Sequence, residues 1–167
     1  MRNRIFNFQF SIFNSRGFTL LELLVVIAII GVLSSLLMVN FIAVRERSRD
    51  AQRKSNLRQV QSALELYRAD VGSYPSAVPN CVSENSLRKD SSDCANSTIY
   101  MKKIPTDPSG NGYYNSGAYY YSASGTGYSL VACLENTNDT DSNIQASPPT
   151  GAPTNCSTSK YYVLTDL

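Results

Sequence analysis

Glu22 is the one charged residue between Phe18 and Val44, and its position carries the most distinctive chemistry of the sequence. From Leu23 to Val44 there are 22 residues without a charge. At about 1.5 Å rise per residue, a helix of this length crosses the ~30 Å hydrocarbon core of a bilayer. A carboxylate at the edge of such a span costs roughly 3 kcal/mol by insertion scales. Glu22 therefore either lies at headgroup depth, in contact with water, or has a partner of opposite charge.

A free amine at Phe18 would supply that partner. Gly17 precedes Phe18, and a peptidase that cuts between them would leave an ammonium group on Phe18, close in sequence to Glu22. In an apolar filament core, this amine can pair with Glu22 of a neighbouring subunit, because a low dielectric strengthens the attraction and makes each lone charge costly. Such a pair would fix the stagger between subunits.

The sequence Arg-Gly-Phe-Thr-Leu-Leu-Glu at residues 16–22, followed by the apolar run, resembles the processing signal of type IV pilins and of type II secretion pseudopilins. In that family a prepilin peptidase removes the leader on the cytoplasmic side and N-methylates the new terminus. The resemblance implies that residues 1–17 are the leader and that the bond from Gly17 to Phe18 is cut. It also implies that Phe18 is the methylated residue and that Glu22 is the assembly carboxylate.

The helical pattern continues beyond the apolar run. An apolar stripe at steps of three and four residues predicts an amphipathic helix at 45–72; the stripe consists of Leu57, Val60, Leu64, Tyr67 and Val71. Gly72 and Pro75 are typical of a helix end. We therefore expect one helix from about Phe18 to Val71, with 18–44 as the transmembrane and filament-core half.

A basic segment at 45–58 follows the span. It carries six basic residues against Glu46 and Asp50, a net charge of +4. A positive-inside count would keep this segment in the cytoplasm, whereas the family resemblance places it outside. The segment is interpreted as a solvated or inter-subunit face; the alternative is contact with DNA or anionic lipid, although no aromatic residues interleave with it.

Residues 73–167 are predicted to form a globular head. The β-prone runs 118–123 and 128–134, joined by 124–127, indicate a hairpin, and 161–164 predicts a third strand. Residues 73–112 and 135–159 are expected to be loops. The fold class is therefore α+β. The resemblance implies the pilin fold, in which a long N-terminal helix packs on an antiparallel sheet of three or four strands.

All four cysteines follow the predicted span, at Cys81, Cys94, Cys133 and Cys156. An even number fits an oxidising compartment and two disulfides, but counting leaves three pairings open. Cys81 with Cys94 would staple the first loop, and Cys133 with Cys156 would tie the ends of the second. The second bridge would parallel the disulfide-bounded loop of many type IV pilins. A zinc site is disfavoured because no Cys-x-x-Cys pair is present.

Asp139, Asp141 and Asn143 are candidates for a calcium site, because hard oxygen ligands at alternate positions suit this ion. The segment lacks the glycine and glutamate of an EF-hand. Pseudopilins of the resembled family bind calcium in a comparable late loop, but their Gly-Ala-Asp-Gly phrase is absent. The expectation is therefore acidic turn residues kept in water, with no cofactor.

Composition argues against an enzyme. The chain has no histidine, so the commonest general base and metal ligand are missing. Its net charge is +2. Without the three leader arginines, 12 of its 15 basic residues remain against 13 acidic ones, so no electrostatic attraction to nucleic acid follows.

The resemblance implies a structural subunit of a type IV pilus or pilus-like filament. Its expected partners are like subunits, the prepilin peptidase, a membrane platform protein and an assembly ATPase. The chain would cross the cytoplasmic membrane once with its head outside, and then enter a surface or periplasmic filament. The alternatives are a type II secretion major pseudopilin, or a minor pilin for DNA uptake or adhesion.

Overall fold

The computed structural model describes residues 17–78, 80–81, 85–90, 92–110, 118–124 and 127–166. Residues 1–16 of the predicted leader lie outside the described residues, as does the side chain of Cys81. The chain divides into two units, with the boundary between residues 40 and 41.

The long helix α1 runs Leu20–Val71, as predicted. It ends before Gly72, whose φ of +85° lies in the left-handed region that glycine adopts without steric cost. The Gly72 N–H donates to the carbonyl of Arg68 at 2.7 Å. This hydrogen bond satisfies one of the free carbonyls at the helix end, so the predicted cap is confirmed.

The first part of α1 is apolar and uncovered. Leu20–Met38 is long and apolar enough to cross a membrane, with a mean hydropathy of 2.7, and none of it is buried. Leu20 is 84% exposed and Leu37 is 69% exposed. An apolar surface of this extent needs lipid or other apolar segments to cover it.

Seven short strands follow in the described part of the chain: β1 Asn80–Cys81, β2 Ser86–Arg88, β3 Ile99–Met101, β4 Tyr120–Ser124, β5 Gly127–Cys133, β6 Ile144–Gln145 and β7 Tyr161–Thr165. They form two antiparallel sheets with the orders β1-β2-β3 and β4-β5-β7-β6. The predicted hairpin is β4 with β5, in which Tyr121 pairs with Leu130. The predicted third strand is β7, in which Leu164 pairs with Leu130.

The main core lies between α1 and the sheets. Its helix side chains are Leu57, Val60, Ala63 and Leu64, all at most 3% exposed. Alternate residues of β5 face this stripe, and the core also contains Leu87 of β2 and Tyr162 and Leu164 of β7. The predicted stripe is thus confirmed from Leu57 to Leu64, but Val71 is 40% exposed because the helix end extends past the core.

A smaller core covers the other face of the four-stranded sheet. It is formed by Val131 and Cys133 of β5, Tyr161 and Val163 of β7, and Cys156. Cys156 is only 5% exposed, so part of the segment after β6 lies over this face. Successive residues of one strand face opposite sides of the sheet, which is why β5 contributes to both cores.

Two loop predictions were partly wrong. The segment 73–112 contains β1, β2 and β3, whose short runs of two or three residues are too brief to give a clear alternation pattern. The segment 135–159 contains β6, and Ala152 within it is buried. In both segments tertiary pairing orders residues whose composition is typical of loops.

Candidate functional site

Thr19 and Glu22 form a capping box at the start of α1. The Thr19 N–H and hydroxyl both donate to Glu22 Oε2 at 2.8 Å, and the Glu22 N–H donates to the Thr19 hydroxyl at 3.2 Å. These reciprocal bonds satisfy backbone donors that have no partner within the helix. Glu22 thus has a partner inside its own chain, which is a role that the sequence interpretation missed although Thr-x-x-Glu is its known pattern.

The surroundings of this box are apolar and open. Phe18 is 82% exposed and Leu21 is 72% exposed. Within the described residues, a Cβ added to Gly17 would meet no atom within 4 Å, so their packing does not require glycine there. The only carboxylate of the apolar segment therefore lies at an exposed helix start beside Phe18.

Five charged side chains form a second polar site, here called the ion cluster: Arg49, Asp50, Arg53, Asp107 and Glu135. Arg53 is its centre and is fully buried. Its guanidinium donates to Asp50 at 2.7 Å, to Asp107 at 2.8 and 2.9 Å, and to Glu135 at 2.6 Å. The cluster joins α1 to the segment before β4 and to the start of the loop after β5.

Backbone groups complete the ion cluster. The N–H of Glu135 donates to Asp50 at 3.0 and 3.1 Å, and the N–H of Asn136 donates to Asp50 at 2.7 Å. Ser109 donates from its N–H and its hydroxyl to Asp107. Buried charges with this many partners hold the segments that carry them in one arrangement. Removal of one partner would leave an uncompensated buried charge.

The ion pairs shift the pKa values of the cluster. The hydrogen bond from Arg49, supported by those from Arg53, lowers the pKa of Glu135. Burial raises the pKa of Asp107, but hydrogen bonds from Arg53 and Ser109 outweigh it and leave this pKa below its usual value. Burial lowers the pKa of Arg53, and its three carboxylate partners more than compensate, so that pKa is raised.

The interpretation of the basic segment as a solvated or inter-subunit face was therefore wrong for three of its members, which are paired within the chain. Arg53 is buried, Arg49 is paired with Glu135, and Lys54 is paired with two aspartates. These partners come from the head, which explains why a count of the segment alone gave a large excess of positive charge. Arg45 and Arg47 remain exposed.

The calcium candidates lie around Lys54. Its Nζ donates to Asp139 Oδ2 at 2.7 Å and to Asp141 Oδ2 at 3.2 Å. The other oxygens accept from the backbone, Asp139 Oδ1 from Asp141 at 3.1 Å and Asp141 Oδ1 from Asn143 at 3.0 Å. The expectation of acidic residues kept in water is corrected, because Lys54 is their partner. Within the described residues no group of three or more His, Cys, Asp or Glu side chains is placed to hold a metal.

The disulfide of the second loop joins Cys133 and Cys156, with a Cα–Cα distance of 5.6 Å. It connects the end of β5 to the segment before β7. The pairing of Cys133 with Cys156, one of those left open by the sequence, is therefore confirmed. Cys94 is also disulfide-bonded. The side chain of Cys81 is outside the described residues, and its pairing stays a prediction.

Two family models match the chain. The prokaryotic N-terminal methylation motif matches residues 12–38, which include the Gly17–Phe18 bond and Glu22. The model of type II secretion system protein G matches residues 40–144. This second match covers more than half of the chain.

The chain belongs to the type II secretion system protein G family. The core protein G of Escherichia coli is 37% identical over 101 residues, which is 59% of this chain and 69% of that protein. The core protein G of Pectobacterium carotovorum is 33% identical over 104 residues, 60% of this chain and 66% of that protein. A type IV wide pilus major component of Thermus thermophilus is 43% identical over 63 residues, 38% of this chain and 48% of that protein. No solved structure matches significantly.

Membership of the protein G family confirms the predicted resemblance and agrees with the α+β architecture. The family is structural, and the methylation motif implies processing by a prepilin peptidase. The apolar start of α1 fits membrane anchoring before entry into a filament of related subunits.

Proposed function

We propose that this protein is the major structural subunit of a type II secretion pseudopilus or a closely related pilus-like filament. The observation that carries the proposal is Glu22, a lone carboxylate at the start of an exposed apolar helix whose only bonded partner in the described chain is Thr19. A filament of such helices would bury this carboxylate, and burial without a cation is costly.

Processing would create the cation. Cleavage between Gly17 and Phe18 by the prepilin peptidase releases the leader 1–17 and leaves an amine on Phe18, which the same enzyme methylates. The amine of an incoming subunit then pairs with Glu22 of its neighbour. Because Glu22 starts in the capping box with Thr19, assembly exchanges an intrachain partner for a charged one, which is stronger in an apolar core.

Partner proteins would carry out the energy-requiring steps of assembly. An assembly ATPase on the cytoplasmic side, acting through a membrane platform protein, would extract the subunit from the cytoplasmic membrane. Since lipid tails and apolar helices are similar environments, Leu20–Met38 exchanges bilayer neighbours for filament neighbours at modest net cost. The head, residues 73–167, would lie outside the cytoplasm throughout, in keeping with its Cys133–Cys156 disulfide.

Mass spectrometry of purified filaments tests this proposal. The expected result is an abundant subunit that begins at N-methyl-Phe18. A mature chain that begins at Met1 would contradict it, since no amine would then lie near Glu22. A scarce subunit would instead support the alternative of a minor pilin that takes up DNA or adheres. The basic segment does not favour DNA binding, because three of its cations on α1 are paired with carboxylates of the head.

A type IV pilus is the second candidate, favoured by the 43% identity to the Thermus thermophilus pilus component over 63 residues. The two candidates differ in the phenotype of a deletion strain. Loss of protein secretion with surface pili intact is expected for the pseudopilin, and loss of pili with secretion intact would identify a pilus subunit.

A further inference from the structure

The loop after β5 is held by a cation that belongs to the chain itself. Lys54, on α1, is 17% exposed, and Asp139 and Asp141 are 19% and 22% exposed at their side chains. Its ammonium group also lies 5.4 Å from the centre of the Tyr162 ring on β7. An aromatic face and two carboxylates together form a site of the kind that stabilises a cation.

Each of the four carboxylate oxygens of Asp139 and Asp141 accepts a hydrogen bond from within the chain. Asp139 and Asp141 each give Oδ2 to Lys54 and Oδ1 to a backbone N–H two residues further on. The Asn143 side chain turns its Nδ2 donor toward Asp141 Oδ1 at 3.3 Å. A divalent cation would need several oxygens free to coordinate it and the ammonium displaced, so these residues do not fit calcium in this arrangement.

We propose that Lys54 serves as the resident cation of this loop, which therefore folds without calcium. A lysine on α1 differs from a diffusible ion because its position is covalently fixed. It connects the helix to the β5–β6 connection whatever the concentration of divalent ions outside the cell. The Lys54 contact adjoins the ion cluster, since Arg53 precedes Lys54 and Glu135 lies at the start of the same loop.

Thermal unfolding of the processed full-length chain in detergent micelles, with its disulfides formed, tests the proposal. The wild-type midpoint is expected to agree within about 1 °C between EGTA and about 5 mM calcium chloride, a concentration above the ~0.1–1 mM dissociation constants of weak extracellular calcium modules. At matched ionic strength, a calcium-induced rise of more than about 2 °C would overturn the proposal, because calcium that binds the folded state raises the midpoint.

Variants of Lys54 provide the second measurement. In EGTA, Lys54→Met is expected to melt roughly 2–6 °C below wild type, because two carboxylates lose their cation while the apolar stem is kept. Lys54→Arg retains the charge and should stay within about 2 °C of wild type. Lys103→Met is the matched control at an exposed lysine and should melt as wild type does.

A Lys54→Met midpoint no lower than that of Lys103→Met would overturn the assignment. Should Lys54→Met fail to fold, the calcium comparison on wild type and the midpoint of Lys54→Arg still decide, since a calcium-dependent loop would show its dependence in both proteins.

Discussion

At the scale of single residues, Glu22 has one partner in the isolated chain and a different one in the proposed filament. In the isolated chain, it belongs to the Thr19 capping box. In the proposed filament, it belongs to the Phe18 amine of a neighbour. The two roles are separable, because Thr19 takes part in the first and is not needed for the second.

Glu22→Ala and Thr19→Ala are therefore expected to differ. Glu22→Ala should insert into the membrane and be processed but lower the filament yield by at least about tenfold, since one unpaired charge in an apolar core corresponds to more than 1.4 kcal/mol. Thr19→Ala removes the cap, worth about 1 kcal/mol, and should still form filaments. Quantification of sheared filaments against total membrane-bound subunit gives the comparison. Equal losses in the two variants would mean that Glu22 acts through its cap alone.

The ion cluster predicts an acid-sensitive head. The pKa values of Glu135 and Asp107 are depressed in the folded state, so the unfolded chain binds more protons as acid is added. Their stabilisation is fully present above the unfolded pKa values of about 4 and is lost as the pH falls through the lower folded values. We expect the unfolding midpoint to be flat from about pH 7 to 5 and to fall below about pH 4.

Glu135→Gln removes one titratable carboxyl group and is therefore the control variant for this pH dependence. It should lower the midpoint at neutral pH, because Arg49 and Arg53 lose a charged partner, and it should show a smaller further decrease from pH 5 to pH 3 than wild type. Parallel pH curves for the two proteins would contradict a role for Glu135 in the acid response.

At the scale of elements, one face of α1 packs on the sheets and another face stays open. Leu64 is fully buried in the core, whereas Leu66, on the same turn of helix, is 58% exposed. Because each residue advances about 100° around the axis of an α-helix, two side chains that are two residues apart point in directions about 200° apart. Leu66 is therefore free to contact another subunit.

Leu64→Ala and Leu66→Ala form a matched pair. Leu64→Ala is expected to destabilise the head by about 2–5 kcal/mol through loss of burial and a residual cavity. Leu66→Ala should change the stability by no more than about 0.5 kcal/mol, as exposed substitutions do. Urea unfolding followed by circular dichroism measures both. A large loss in Leu66→Ala would show that this face is covered within the subunit.

At the scale of the whole molecule, the proposed cleavage after Gly17 would change both the charge of the chain and the groups available for assembly. The predicted leader contains three arginines, and its removal would create the amine proposed to pair with Glu22. Because a Cβ at Gly17 would meet no atom of the described residues within 4 Å, a substitution there is expected to report on processing rather than on folding of the head.

Gly17→Leu is expected to remain in the membrane as an uncut single-pass protein that forms no filaments. Gly31→Ala, at a helical glycine that also has open space around it, should be cut normally. The intact masses of the two membrane-bound proteins distinguish the outcomes. Filaments built from uncut Gly17→Leu would refute the requirement for a free Phe18 amine.

The residues show why part of the structure was predictable. The helix, its Gly72 cap, the apolar stripe from Leu57 to Leu64 and the β4–β5 hairpin depend on local periodicity and turn chemistry, which the sequence displays directly. The same steps of three and four, extended backward from Leu57, reach Arg53 and Asp50. A charge at a core position of the stripe was the available signal that these residues need buried partners.

The sequence by itself determined that the chain has one apolar span with a single carboxylate at its start, an N-terminal methylation motif and an α+β head, because each follows from neighbouring residues. Only the tertiary structure decided which acids meet which bases. Asp107 and Glu135 lie 54 and 82 residues from Arg53, and Asp139 lies 85 residues from Lys54. Contacts across such separations are set by the packing of the sheets on α1, and no local pattern encodes them.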